Sequence, residues 1–270
     1  MTGMAGVSSG ATLFSFLCNW KPGEVCWIWL LLIALGILGG CFLYAWWMSR
    51  SKKSVNIEIN STFILTIKEG NLFDSQIGEV TVIPVNTCFN PHSVERKSSV
   101  FYQFVHTYWE GENRRRELDG KIQAALREVK VAPIDNFDSQ EGYGKQYPLG
   151  TCIMIEDGGK KYVLVATARK VPTKSSELAL NEYPMILEEL FQFLAKQRYQ
   201  KTIYLPLIGM GHGQLKKSYR RSLYFLLDVI EFKQSDLSFP NGICLKLKSL
   251  RNAGINLTEV ENDFKLNIKG

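Results

Sequence analysis

The longest apolar run in the chain is "VCWIWLLLIALGILGGCFLYAWWM", residues 25–48, in which 24 consecutive positions carry no charged side chain. Wound as a helix it is long enough to cross a hydrocarbon core of about 30 Å, so the run predicts a transmembrane helix. Trp27 and Trp29 near one end, and Tyr44, Trp46 and Trp47 near the other, stand where amphipathic rings settle at the two headgroup layers. The competing reading is a wholly buried helix of a soluble protein. Residues 1–20 also lack charge and include "ATLFSFLCNW", followed by the turn "KPGE". A second pass or an interfacial segment is open there, although Gly3, Gly6, Ser8, Ser9 and Gly10 dilute its hydrophobicity.

After residue 54 the pattern changes to short runs. "TFILTIKEG" (62–70) and "VTVIPVN" (80–86) are β-branched segments bounded by turn residues. The second is apolar almost throughout, which predicts a central strand buried on both faces. "SSVFYQFVHTYW" (98–109) and "RRRELDGKIQAALREVK" (114–130) have helical spacing, with a serine placed to cap the first. "TCIMIEDGGKKYVLVATA" (151–168) predicts a hairpin turning at "DGG". Residues 176–200 read as a long amphipathic helix, interrupted or begun anew around Pro184. Then come a strand (201–208), a helix (215–232) and a last strand (242–250), while residues 256–270 are open between an extra strand and an oligomer contact. The alternation predicts an α/β domain with a mixed sheet between helices. The expected organisation is an apolar segment at 1–24, a membrane helix at 25–48, a connector at 49–54 and a domain at 55–270.

Charge orients this arrangement. Arg50, Lys52 and Lys53 follow the apolar run, whereas Lys21 and Glu24 before it cancel, so the domain is expected in the cytoplasm. These flanks supply +3 of the formal net charge of +6, and the weak remainder does not argue for nucleic acid. A signal peptide would want a basic start and a shorter apolar core. "LGGC" (38–41) resembles a lipoprotein cleavage site, but the apolar run continues past Cys41. Gly36 and Gly40 have the spacing that lets helix backbones approach in lipid, which makes that face a candidate for self-association. Of six cysteines, Cys18, Cys26 and Cys41 lie in the membrane portion and Cys88, Cys152 and Cys244 in apolar runs, without a CxxC or Cys/His cluster. That fits a reduced domain without structural zinc.

Chemistry is expected where parallel strands end and loops lead into helices. "IGMGHG" (208–213) runs from a strand toward a helix, and its glycines let amide N–H groups converge on an anion such as phosphate. The same glycines would equally make a packing turn. The loop lacks the P-loop lysine and the GxGxxG spacing. "VNTCF" (85–89) ends the other buried strand, where Asn86 offers donor and acceptor or simply caps its loop. "EGNLFD" (69–74) ends a third, and the three would line one crevice.

"TIKEGNLFD", "VTVIPVNTCF" and "YLPLIGMGHG", in that order and separated by helices, resemble a macrodomain. With "YPLGTC" (147–152) and the preceding apolar segment, the chain is similar to the membrane-linked macrodomain effectors of bacterial type II Thoeris anti-phage systems over about residues 55–250. The resemblance implies binding of an ADP-ribose derivative made from NAD by a TIR-domain partner, reported as histidine-conjugated ADP-ribose, followed by self-assembly and disruption of the inner membrane. It implies no cofactor. Carried over, Asn71 and Leu72 stand where the family has Asp-Ile, and Asn71 can still accept from the adenine amine. Asn86 and Thr87 match the asparagine-bearing loop, and Gly209, Met210, Gly211, His212 and Gly213 match the phosphate loop. Phe89 stands where hydrolytic macrodomains place an asparagine near the distal ribose, and "NPHSVERKSSVF" (90–101) replaces a glycine-rich loop. Both departures argue against ADP-ribosyl hydrolysis, the alternative function. His212 reads as a ligand contact or loop packing, since no partner that would activate it for catalysis is visible. His92 and His106 read as surface or groove residues.

Overall fold

The computed structural model describes residues 25–48, 52–92, 97–134, 145–171, 174–178, 180–197, 199, 201–210 and 218–268. The chain divides into two units, Met1–Ser51 and Lys52–Gly270. In the first, Val25–Met48 forms one helix, α1, whose ends coincide with the charge-free run. None of the 18 residues Trp29–Trp46 is buried, and by length and composition the helix is a candidate membrane span. Nothing lies within 4 Å of where a Cβ would stand on Gly36 or Gly40. The apolar segment 1–24 lies outside the described residues.

The second unit is built on a sheet of eight strands: β1 (Ser54–Asn60), β2 (Phe63–Glu69), β3 (Val80–Asn86), β4 (Cys152–Asp157), β5 (Lys160–Val171), β6 (Lys174–Glu177), β7 (Ile203–Pro206) and β8 (Ile243–Leu247). Seven lie side by side in the order β1-β2-β8-β7-β3-β5-β4, and β6 pairs with β5 alone. The five inner strands are mutually parallel, while β1 and β4 run antiparallel at the two edges. The β4–β5 hairpin turns at Gly158 and Gly159, whose φ values of 57° and 75° are the left-handed pair that a tight two-residue turn demands.

Helices cover both faces. On one, α4 (Tyr183–Lys196), α5 (Tyr219–Phe232) and α6 (Leu257–Ile268) bury Leu187, Leu190, Leu226, Ile230 and Val260 against Val55, Leu65, Val82, Leu205 and Leu245. On the other, α2 (Val100–Tyr108), its C-cap Trp109 and α3 (Glu112–Glu128) bury Phe104, the Trp109 ring, Leu118 and Ile122 against Ile83, Ile153, Tyr162 and Leu164. The strand β3 contributes Val80 and Val82 to the first layer and Ile83 and Val85 to the second, as its apolar run requires. Ser99 caps α2, its Oγ accepting from Tyr102 N at 3.0 Å.

One expectation is refined and one corrected. The segment 176–200 does begin its helix anew around Pro184, but what precedes that point is not helical: β6 ends at Glu177, a 3-10 turn spans Leu180–Glu182, and α4 follows. Proline suits the first helical turn, where its missing N–H costs no hydrogen bond, and Pro184 stands there, directly after Tyr183. Upstream, pairing of Arg169 with Glu177 and of Val171 with Lys174 competes successfully for the backbone. The segment 256–270, open between strand and oligomer contact, holds α6, with Leu257, Val260 and Phe264 buried in the first layer.

Candidate functional site

Because the five inner strands are parallel, their carboxyl ends share one edge of the sheet. The expected loops after β2, β7 and β3 emerge there, with the end of β8 between the first two. At about 4.8 Å per strand, β2 to β3 is a span of roughly 14 Å. A ligand that touches all three loops must therefore be elongated.

The loop after β2 is tied to the sheet by Gly70 N, which donates to Leu247 O at 3.0 Å. Asn71 is exposed and its Oδ1 accepts from Phe73 N at 3.2 Å, capping the 3-10 turn Leu72–Asp74. The oxygen expected to meet a ligand amine thus already has one intraloop donor, and a carbonyl oxygen has two lone pairs. Leu72 is buried in the second core layer beneath this loop. Tyr108 Oη, from α2, donates to Phe73 O at 3.1 Å and fixes the far side of the turn.

After β3, Asn86 Oδ1 accepts from Cys88 N at 3.0 Å, so the asparagine does cap its own loop. Its Nδ2 amide donates to no partner among the described residues and is left for other use. Thr87 N donates to Ala168 O and Tyr147 N donates to Thr87 O, both at 2.9 Å, which stitches this loop to the end of β5 and to "YPLGTC". Phe89 is wholly buried with its ring edge-on to Tyr147, and its φ of 51° is left-handed. Its ring belongs to the core, and its backbone turns the chain away from the strand end.

After β7, Ile208 and Gly209 are buried, Met210 is half-buried, and the φ of 86° at Gly209 is one that side-chain-bearing residues rarely adopt. Gly211, His212 and Gly213 lie outside the described residues. The following helix α5 starts at a Ser218 cap, with Oγ accepting from Arg221 N at 3.3 Å.

Sequence reasoning missed three supports. Tyr183, the first residue of α4, is fully buried, and its Oη donates to Ile208 O at 3.1 Å, anchoring the entry to the glycine loop. Burial pushes its phenol far above the ordinary value, keeping it a neutral donor. Tyr204 on β7 donates to Glu79 Oε1 at 3.3 Å, and burial, then the Glu79 charge, pushes it up to about 12. Lys246 on β8 has a side chain only 5% exposed and lies beneath the loop after β2. Tyr183 carried a signal, since it adjoins the helix-starting proline. Lys246 carried none, since the stretch 242–250 was read only as a last strand. Among the described residues, no group of three or more His, Cys, Asp or Glu side chains could hold a metal ion.

The fold, a mixed sheet between helices with the carboxyl ends of five parallel strands along one edge, defines the class. A macrodomain of Oceanobacillus iheyensis with MES bound superposes with a TM-score of 0.54, at 14% identity, over 78% of this chain and 97% of that one. The same macrodomain with ADP gives a TM-score of 0.52, at 14% identity, over 78% and 97%. A point mutant of it with ADPR gives 0.51, at 14% identity, over 78% and 99%. At such identity the likeness shows the fold: the second unit is a macrodomain. The family follows from the sequence. The family model described as "Thoeris protein ThsA, Macro domain" matches residues 65–247, and the chain belongs to that family. No curated protein is a match.

Proposed function

We propose that this protein is a membrane-anchored receptor of anti-phage defence whose macrodomain binds an ADP-ribose derivative, histidine-conjugated ADP-ribose, made by a TIR-domain partner. The observation that carries the proposal is the alignment of three loops along one edge of the sheet within a chain of the ThsA macrodomain family. The similar macrodomain solved with ADP and with ADPR supports a ligand of this class. In this pose the adenine lies at Asn71 and Leu72, the diphosphate at Gly209, Met210, Gly211, His212 and Gly213, and the distal ribose at Asn86, Thr87 and the backbone of Phe89. The loop glycines and the start of α5 present N–H groups and partial positive charge to the diphosphate.

Binding is coupled to function by population shift. The ligand stabilises an assembled form that it binds more tightly than the resting one, and α1 spans the inner membrane and disrupts it on assembly. The macrodomain lies on the cytoplasmic side, a reading supported by the cations Arg50, Lys52 and Lys53 that follow α1. It acts as a sensor and not as a hydrolase, a reading supported by the buried phenylalanine at position 89. Co-expression with a TIR-domain protein tests this: membrane depolarisation requires both proteins and is lost with Gly211→Asp. Depolarisation by this chain alone, or undiminished in the variant, contradicts the proposal.

A further inference from the structure

Lys246 stands on an inner strand, with Lys68 and Pro206 as its neighbours in register. Lys68 adds a second cation where a counter-charge would be expected. The Lys246 side chain is 5% exposed, and its Nζ lies 3.9 Å from an oxygen of Asp74, itself 59% exposed, and 5.2 Å from the centroid of the Tyr204 ring. Burying an ammonium group beside one distant carboxylate is costly, and a methionine would fill the same space at less cost. Such an arrangement asks for a use.

The neighbouring loop supplies one. Gly70 is held by Leu247 O and Phe73 O by Tyr108, so both flanks of Asn71 are fixed by neighbouring elements. Asp74, at the end of the turn, has Lys246 as its ion-pair partner among the described residues. A Cβ on Gly70 would stand 3.3 Å from Lys246 Nζ and 3.7 Å from its Cδ, so the lysine also packs directly against the start of the loop. One side chain thus braces the first and last residues of the segment that carries Asn71. Recognition of a base edge requires that segment to hold its place to within about 0.5 Å.

The geometry points to Lys246 as a positioning residue for the adenosine end of the ligand, acting through Asp74 to hold the loop after β2 in its binding shape. This rests on the ADP-ribose reading above. Calorimetry of the full chain in detergent with ADP-ribose, at about 0.05 M and about 0.5 M salt, tests it with Lys246→Met, Asp74→Asn and the double variant. The expected result is affinity about tenfold weaker for Lys246→Met at both salt concentrations, a smaller loss for Asp74→Asn, and a double variant no weaker than Lys246→Met. Wild-type affinity in Lys246→Met, a loss that vanishes at high salt, or additive losses would each overturn it. Asp74 is exposed, so Asp74→Asn remains readable if Lys246→Met does not fold, and unchanged affinity there also overturns the proposal. Absence of binding by the unmodified chain would instead remove the ADP-ribose reading itself.

Discussion

The face of the sheet that carries α2 and α3 has two unlike halves. Over β3, β5 and β4 it is sealed by apolar side chains: Phe104, Leu118 and Ile122 are fully buried, as is Trp109, with Arg114 at 4.3 Å and Lys121 at 4.9 Å from its ring centroid. Over β1, β2 and β8, no described helix covers that face. Asn56, Glu58 and Ile64 are exposed, and Asp74 at the end of the turn after β2 pairs with Lys246, whose Nζ lies 5.2 Å from the centroid of the Tyr204 ring. The difference separates two tasks. One half holds the domain together by burial, and the other spends stability on a buried cation and the self-capped turn after β2.

The largest expected effect breaks the first half alone. Trp109→Ala should cost about 3–5 kcal/mol of stability in urea unfolding, while the folded fraction keeps its affinity for ADP-ribose. A fall in affinity at full occupancy of the fold would show that the halves are not separable. Gly209→Val reverses the pattern: forcing a β-branched residue to φ 86° should cost about 1–3 kcal/mol and weaken ADP-ribose binding by at least about tenfold. Wild-type affinity in this variant would remove the glycine loop from the site. Removal of one hydroxyl in Tyr183→Phe should cost about 1 kcal/mol, with a measurable drop in affinity because Ile208 O loses its donor.

The smallest effect is acid sensitivity on the apolar side. Burial alone would raise the Asp157 carboxyl, but hydrogen bonds and charge from Lys121 and Arg114 hold it below the usual aspartate value. The unfolded chain therefore binds the proton more tightly than the folded one. The contribution is present above the unfolded value of about 4 and is lost as pH falls through the lower folded value. Asp157→Asn should flatten stability against pH in that range by less than about 1 kcal/mol, read as melting temperature between mildly acidic and strongly acidic buffers. An unchanged profile would remove this ion-pair cluster from the account.

Features encoded locally were legible in the sequence. The ends of α1 coincide with a charge-free run, the ends of β3 with an apolar run, and the hairpin with two glycines. The strand β1 was legible too, since Val55, Ile57 and Ile59 alternate with polar residues, but the run is short and was read only as the start of the domain. What escaped depends on distant partners. The strand β6 exists as a partner of the β5 extension, and α6 is fixed by burial against β1 and by ion pairs such as Lys52 to Glu261 at 2.6 Å. Lys246 reads as a surface lysine because the turn that buries it lies far away in sequence. The three site loops were read from short motifs, and the parallel order of strands places their ends along one edge.

The central claim is that this edge binds an ADP-ribose-type ligand. Calorimetric titration of the full chain in detergent with ADP-ribose and its histidine conjugate tests it most directly. The account predicts saturable binding at micromolar concentration, with heat lost in Gly209→Val; no binding of either nucleotide at that concentration would contradict it.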